Sequence, residues 1–186
     1  AAATNLTCQG ELMQHMQRQN RDISEEGYID IISKKTAALF SASCYSGALL
    51  GGCEKSAARK LFEYGTNVGI AFQIADDLLD ITGDERRMGK STGTDIDKDK
   101  RTLPLIHLFS HSGVFQKQDL IEKLNNQELS RTELINVLDS YGSIEYTQKR
   151  AQDFASKAIE KLSSIKDSEA KKVLIETARL SVNRKK

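Results

Sequence analysis

Gly65-Thr66-Asn67-Val68-Gly69-Ile70-Ala71-Phe72-Gln73-Ile74-Ala75-Asp76-Asp77-Leu78-Leu79-Asp80 is the stretch on which the reading of the chain turns. Wound as a helix, it sets Gly65, Gly69, Gln73, Asp76 or Asp77, and Asp80 along one face at three- and four-residue spacings. Ile70, Ile74, Leu78 and Ile81 fall on the other side and suit a core. Carboxylates this close repel one another, by ~0.2–0.5 kcal/mol per i,i+4 pair even on an exposed helix. Inside an apolar stretch they require a compensating cation. Their hard oxygens suit Mg²⁺, which takes one or two protein carboxylates and completes its shell with water and phosphate oxygens. Gly65 and Gly69 are expected to leave that face bare, with room for a ligand to lie against backbone. A D-D-x-x-D standing alone is equally what a solvated acidic helix end looks like. The preceding Phe72-Gln73 and the small residues favour the metal-binding reading.

The segment after this helix, residues 82–101, is polar and rich in glycine and charge. Loops of this length are uncommon unless functional or disordered. It contains Gly89-Lys90-Ser91-Thr92-Gly93-Thr94-Asp95, and then Lys98-Asp99-Lys100-Arg101-Thr102-Leu103-Pro104. Lys90 and Lys100 can swing toward the acidic helix, with the glycines allowing tight turns. Lysine is a mobile point charge suited to phosphate. Acidic helix, Mg²⁺ and lysines together describe a clamp that neutralises a departing diphosphate. Alone, such a loop reads as a solvated charged turn; placed directly after the carboxylates, it reads as the clamp.

Helical periodicity extends over almost the whole chain, and no segment alternates with period two. A first helix is expected over about 2–17 and a second over about 25–50, ended by Gly51-Gly52, with Lys35-Thr36 at its middle. Ile29, Ile32, Ala37 and Phe40 mark the buried side of the second. The carboxylate helix should run from about 55 to 81. Shorter helices follow at about 103–109, with Pro104 tolerated in the first turn, and at about 116–125. Ser130 and Glu133 form a capping-box pattern for a helix over about 131–139. Long helices over about 144–165 and 169–182 complete the chain, the last capped by Asp167 or Ser168.

Composition bounds the function classes. The 27 basic and 26 acidic residues give a net charge of +1, which argues against bulk nucleic-acid binding or a polybasic membrane anchor. No apolar run approaches the ~20 residues of a membrane-spanning helix. Cys8, Cys44 and Cys53 are odd in number and lack C-x-x-C spacing, as expected of reduced cysteines in a cytoplasmic protein. His107 and His111 sit four apart, a spacing that can bind metal, but no third ligand is evident. The chain has no initiator Met, and residues 1–16 read as part of a helix already under way. The expectation is that residues 1–186 are the C-terminal portion of one longer domain.

Jointly these motifs resemble the trans-isoprenyl (polyprenyl) diphosphate synthase family. Its second aspartate-rich motif matches Gly69 to Asp80, its Gly-Lys-x-x-Gly-x-Asp and Lys-x-Thr-Leu-Pro patterns match Gly89 to Pro104, its Lys-Thr helix matches Lys35-Thr36, and a Gly-Glu-Leu-x-Gln pattern matches Gly10 to Gln14. The resemblance implies an all-α bundle of the isoprenoid synthase type, here lacking its N-terminal helices, with a central cavity and a homodimeric or heterodimeric assembly. It implies Mg²⁺-assisted condensation of isopentenyl diphosphate with an allylic diphosphate. Carried over by position, Asp76 is the principal metal ligand, with Asp77 and Asp80 ligating directly or through water. Lys35, Lys90 and Lys100 hold the allylic diphosphate. Gln73 and Thr36 line the reaction centre with Lys35 and Asp76, and Glu11 and Gln14 face the cavity.

Two departures from the family pattern matter. Lys98-Asp99 replaces the Glu-Gly that most long-chain members carry before the motif lysine. The first aspartate-rich motif is absent, so the segment by itself is expected not to turn over. Two other classes share some of these features. A non-catalytic partner subunit of a prenyl synthase has no need of three clustered carboxylates. A class I terpene cyclase shares helices and Mg²⁺, but Lys35-Thr36 and the Gly89-to-Pro104 pattern fit an elongating synthase better.

Overall fold

In the computed structural model, the described residues are 1–17, 22–83, 100–126 and 128–183. They are helical, with no strand among them. The elements are α1 (Ala2–Gln17), α2 (Glu25–Ile32), a π-helical segment (Ser33–Ala37), α3 (Ala38–Leu50), α4 (Lys55–Thr82), α5 (Leu103–His111), α6 (Val114–Asn125), α7 (Arg131–Ser140), α8 (Ser143–Lys161) and α9 (Glu169–Val182). The helix expected over 25–50 is thus continuous but not uniform, because Lys35-Thr36 lies in a wider π turn. One such turn inserts a residue and rotates everything after it by about 100° relative to a regular helix.

Local chemistry accounts for most of the boundaries. Ser24 caps α2 by accepting from the Gly27 amide at 3.2 Å. Ser130 and Glu133 form the expected reciprocal cap of α7, with the Ser130 amide donating to Glu133 at 2.8 Å. Ser168 rather than Asp167 caps α9, accepting from the Lys171 amide at 3.2 Å. Pro104 sits in the first turn of α5, where its missing N–H has no helical partner to lose. At the C-terminus of α4, Arg131 reaches back from α7. Its Nε donates to the Ile81 carbonyl at 2.8 Å and its guanidinium also bonds the Gly83 carbonyl. A cation there answers both the orphan carbonyls and the helix dipole.

α4 is the central element, packed between α3 and α8. The expected core side of α4 is buried: Ile70, Ile74, Leu78 and Ile81 are all inside. On the second helix Ile32 and Ala37 are buried as expected, whereas Ile29 and Phe40 are half-buried. Ile70, Ile74 and Ala71 join Tyr28, Ile32, Leu103, Ala151 and Phe154 in one apolar cluster. Ile81 packs with Leu105, Leu108, Leu134 and Leu138 in a second, and Val68 with Tyr64, Ala158, Leu162 and Ala178 in a third. Glu25, in the first turn of α2, ties that helix to α8, accepting from Arg150 Nε at 2.7 Å and from the Tyr146 hydroxyl. Burial and the Glu25 contact push the Tyr146 phenol up to about 12.

The glycine face of α4 departs from expectation. Gly65 and Gly69 do not leave room for a ligand, because the neighbouring helix fills it. A Cβ at Gly65 would stand 2.6 Å from the Phe40 carbonyl oxygen, and one at Gly69 would stand 2.6 Å from Ala37 Cα. Gly10 does the same for α1, whose backbone lies against that of Lys35. The glycines therefore serve close helix packing around the π turn. Gly69→Ala is expected to destabilise the protein by about 1–3 kcal/mol through overpacking. A lower urea midpoint at unchanged m would report it.

Candidate active site

Four residues of α4 at successive four-residue steps form a seam with the α2–π–α3 stretch. Gly65 meets Phe40 and Gly69 meets Ala37. Gln73 meets Thr36, whose hydroxyl donates to Gln73 Oε1 at 2.7 Å. Asp77 meets Tyr28, whose hydroxyl donates to Asp77 Oδ2 at 2.7 Å. The seam is therefore small and backbone-packed at one end and hydrogen-bonded at the other.

This arrangement separates carboxylates that are equivalent in the sequence. Asp77 is 1% exposed. Its Oδ1 accepts from Gln73 Nε2 at 2.8 Å and from Lys100 Nζ at 2.7 Å, in addition to the Tyr28 bond on Oδ2. Asp76 and Asp80, again one turn apart, lie on the adjacent row. Asp76 is exposed and Asp80 half-buried. Carboxylate oxygens are hard ligands, so these two residues fit Mg²⁺, which needs only one or two from the protein. No group of three or more His, Cys, Asp or Glu side chains placed to hold a metal ion occurs among the described residues.

The lysines divide in the same way. Lys35 Nζ donates to Gln14 Oε1 at 2.6 Å and pairs with Glu11 at 2.9 Å, both from α1. Gln14 is buried, and its amide oxygen holds the ammonium without cancelling its charge. Lys100 lies in the seam on Asp77, with its side chain 11% exposed. The structure thus brings together Thr36, Gln73, Asp77 and Lys100, with Asp76 and Asp80 on the adjoining row, while Lys35, next to Thr36 in the chain, turns to Gln14 and Glu11 of α1. Lys90 and the rest of Gly89 to Asp99 lie outside the described residues. Motif spacing does not single out Tyr28, although a tyrosine on a buried helix face signals a need for a hydroxyl partner.

His107 and His111 stack with ring centroids 4.0 Å apart, and Tyr146 stacks on His107 at 4.2 Å. His107 Nδ1 lies 3.0 Å from Ser143 Oγ and His111 Nδ1 lies 2.9 Å from the His107 carbonyl. Burial, and then the neighbouring His111, hold the His107 imidazole below its ordinary range, while Glu25 pulls the other way.

Comparison with known proteins identifies the family. The polyprenyl synthetase family model matches residues 1–159. The chain belongs to the polyprenyl synthetase family. It is 37% identical over 185 residues to octaprenyl diphosphate synthase of Escherichia coli, covering 98% of this chain and 57% of that protein. It is 38% identical over 147 residues to geranylgeranyl diphosphate synthase of Sulfolobus acidocaldarius, covering 77% of this chain and 44% of that protein. Its fold superposes on geranylgeranyl pyrophosphate synthetase from Pyrococcus horikoshii with a TM-score of 0.88 at 35% identity, covering 99% of this chain and 57% of that one. A polyprenyl synthase from Caulobacter crescentus, solved with calcium and isoprenyl diphosphate, matches with a TM-score of 0.90 at 31% identity and the same coverage. The all-α isoprenoid synthase fold is thereby established, and the chain spans about half the length of the synthases it matches.

Stability measurements on three variants test these contacts. Asp77→Ala strands Lys100 and the Tyr28 and Gln73 donors, and is expected to cost about 3–5 kcal/mol in urea unfolding. Asp76→Ala, at an exposed position, is expected to cost clearly less than Asp77→Ala in the same measurement. His107 is depressed in the folded state, so its contribution is present above about pH 6.5 and is lost as pH falls toward its folded value. His107→Gln is expected to flatten the decline in urea stability between about pH 7.5 and pH 5.5.

Proposed function

We propose that the protein carrying this chain condenses isopentenyl diphosphate with an allylic diphosphate to make an all-trans polyprenyl diphosphate. In that reaction the allylic C–O bond breaks and diphosphate leaves. The alkene of isopentenyl diphosphate forms the new C–C bond to the resulting cation, and a proton is lost. The observation that carries the reading is that Asp76 and Asp80 lie on the α4 row next to Gln73 and Asp77, with Gln73 bonded to Thr36 and Lys35 adjoining Thr36 in the chain. The Caulobacter crescentus relative, bound to a divalent cation and an isoprenyl diphosphate, supports it.

Asp76 and Asp80 would hold Mg²⁺, with Asp76 the principal ligand; Asp77, expected as a third ligand, is left out of this set because it is buried on Tyr28, Gln73 and Lys100. Bound there, the ion supplies neutralising charge to the departing diphosphate. Lys35, oriented by Gln14 and Glu11, supplies a fixed positive charge, and Lys90 and Lys100 extend the same clamp. Gln73 and Thr36 line the place where the allylic cation forms. The oxygens they present cost no reorganisation, because their partners already hold them.

The expected assembly is a homodimer or heterodimer, and the expected location is the cytoplasm. No helix among the described residues is long and apolar enough to cross a membrane. In the full-length protein, Asp76→Ala is expected to lower turnover of isopentenyl and allylic diphosphates by roughly two orders of magnitude or more. Circular dichroism should stay nearly unchanged. Near-normal turnover in that variant would remove the metal assignment.

A further inference from the structure

We infer that Asp77 and Tyr28 are positioning residues: they anchor a directed hydrogen-bond chain that sets which atoms Gln73 and Thr36 present to substrate. The inference rests on the reaction proposed above. Asp77 is almost wholly buried, and its oxygens accept from Tyr28, Gln73 and Lys100 at 2.7, 2.8 and 2.7 Å. An ionised carboxylate only accepts, so the Gln73 amide must turn its NH₂ end to Asp77. Its carbonyl end then faces Thr36, 2.7 Å away. A carbonyl oxygen also only accepts, so the Thr36 hydroxyl must donate its one hydrogen to Gln73. What remains on the Thr36 oxygen is lone pairs.

The consequence is chemical. Threonine normally rotates its hydroxyl to donate or accept as its surroundings ask. Here one buried carboxylate removes that choice through two intervening bonds. Thr36 can offer only electron density, which suits a site where positive charge develops on carbon. It cannot turn a hydrogen toward that charge, and preorganisation of this kind lowers the barrier without lowering ground-state affinity. Tyr28 takes part because it holds the second Asp77 oxygen from α2. It lies seven residues before Lys35, outside the diphosphate clamp and the carboxylate row. The π turn between Tyr28 and Ala38 allows Tyr28 and Thr36 both to face α4.

The test uses the full-length enzyme with geranyl diphosphate and isopentenyl diphosphate, and Mn²⁺ binding followed by electron paramagnetic resonance. Tyr28→Phe and Asp77→Asn are expected to lower kcat about tenfold or more, with the allylic KM and Mn²⁺ affinity within about twofold of the parent. Tyr28→Phe placed in a Thr36→Ala background is expected to have almost no further effect on kcat, because the chain then has nothing to orient. An equal loss in both backgrounds would show a general structural role and overturn the inference. So would unchanged kcat in Tyr28→Phe, or weakened Mn²⁺ binding in Asp77→Asn, which would make Asp77 a metal ligand. Asp76→Asn is the separate control. If it leaves both Mn²⁺ affinity and turnover at parent values, the metal-site reading fails.

Discussion

A charge at 1% exposure is the constraint around which this molecule is arranged. An ionised carboxylate cannot be left in an apolar interior without partners, and removing one partner of a buried pair costs far more than the pair contributes. Asp77 therefore imposes requirements on three separate parts of the chain. Tyr28 must come from α2, Gln73 from the preceding turn of α4, and Lys100 from the residues leading into α5. Each demand is met at hydrogen-bond distance. Meeting them seats α2 across α4 and anchors the point where the chain returns to the bundle. Arg101, next in sequence, is itself buried over the Phe109 ring, so the entry to α5 is held on both sides of the peptide.

The seam built on Asp77 does two jobs along a single row of α4. At Gly65 and Gly69 it lets backbone approach backbone, which sets the distance between α4 and α3. At Gln73 and Asp77 it uses that closeness to make short side-chain bonds. The π turn belongs to the same device. Placed between two regular helices, it changes the phase of the chain so that Lys35 meets α1 while Thr36 meets α4. Turns of this kind recur at functional sites because they aim neighbouring side chains in directions that a regular helix cannot. Asp76 and Asp80, on the next row of α4, are less buried than Asp77.

Much of this arrangement is legible in the amino-acid sequence. The helical spacing of apolar residues marks all the long elements, and the Ser130–Glu133 pattern and the serine before α9 mark two of the starts. The family resemblance groups Gln73, Thr36, Lys35 and the aspartates as one expected site, and the fold does bring Thr36, Gln73 and Asp77 into one chain of bonds. Gly65 and Gly69 mislead, because their spacing suggests a ligand where a helix packs. A glycine row on a helix shows that something approaches closely, but not whether it is substrate or a neighbouring backbone. Lys100 poses the same problem, because a lysine near carboxylates serves phosphate or a buried partner with equal ease.

By itself the sequence determined the helices, most of their caps and, through its motifs, the family, because periodicity, capping chemistry and motif spacing are properties of short stretches of chain. Only the tertiary structure decided which of two adjacent aspartates turns inward. A helix advances about 100° per residue, so Asp76 and Asp77 both lie within the arc that a spacing argument allows. The choice falls to whatever stands opposite, and here that is Tyr28, forty-nine residues away along the chain. The direction of the Gln73 amide follows from the same contact, since a side chain with a donor at one end and an acceptor at the other takes its orientation from its partners.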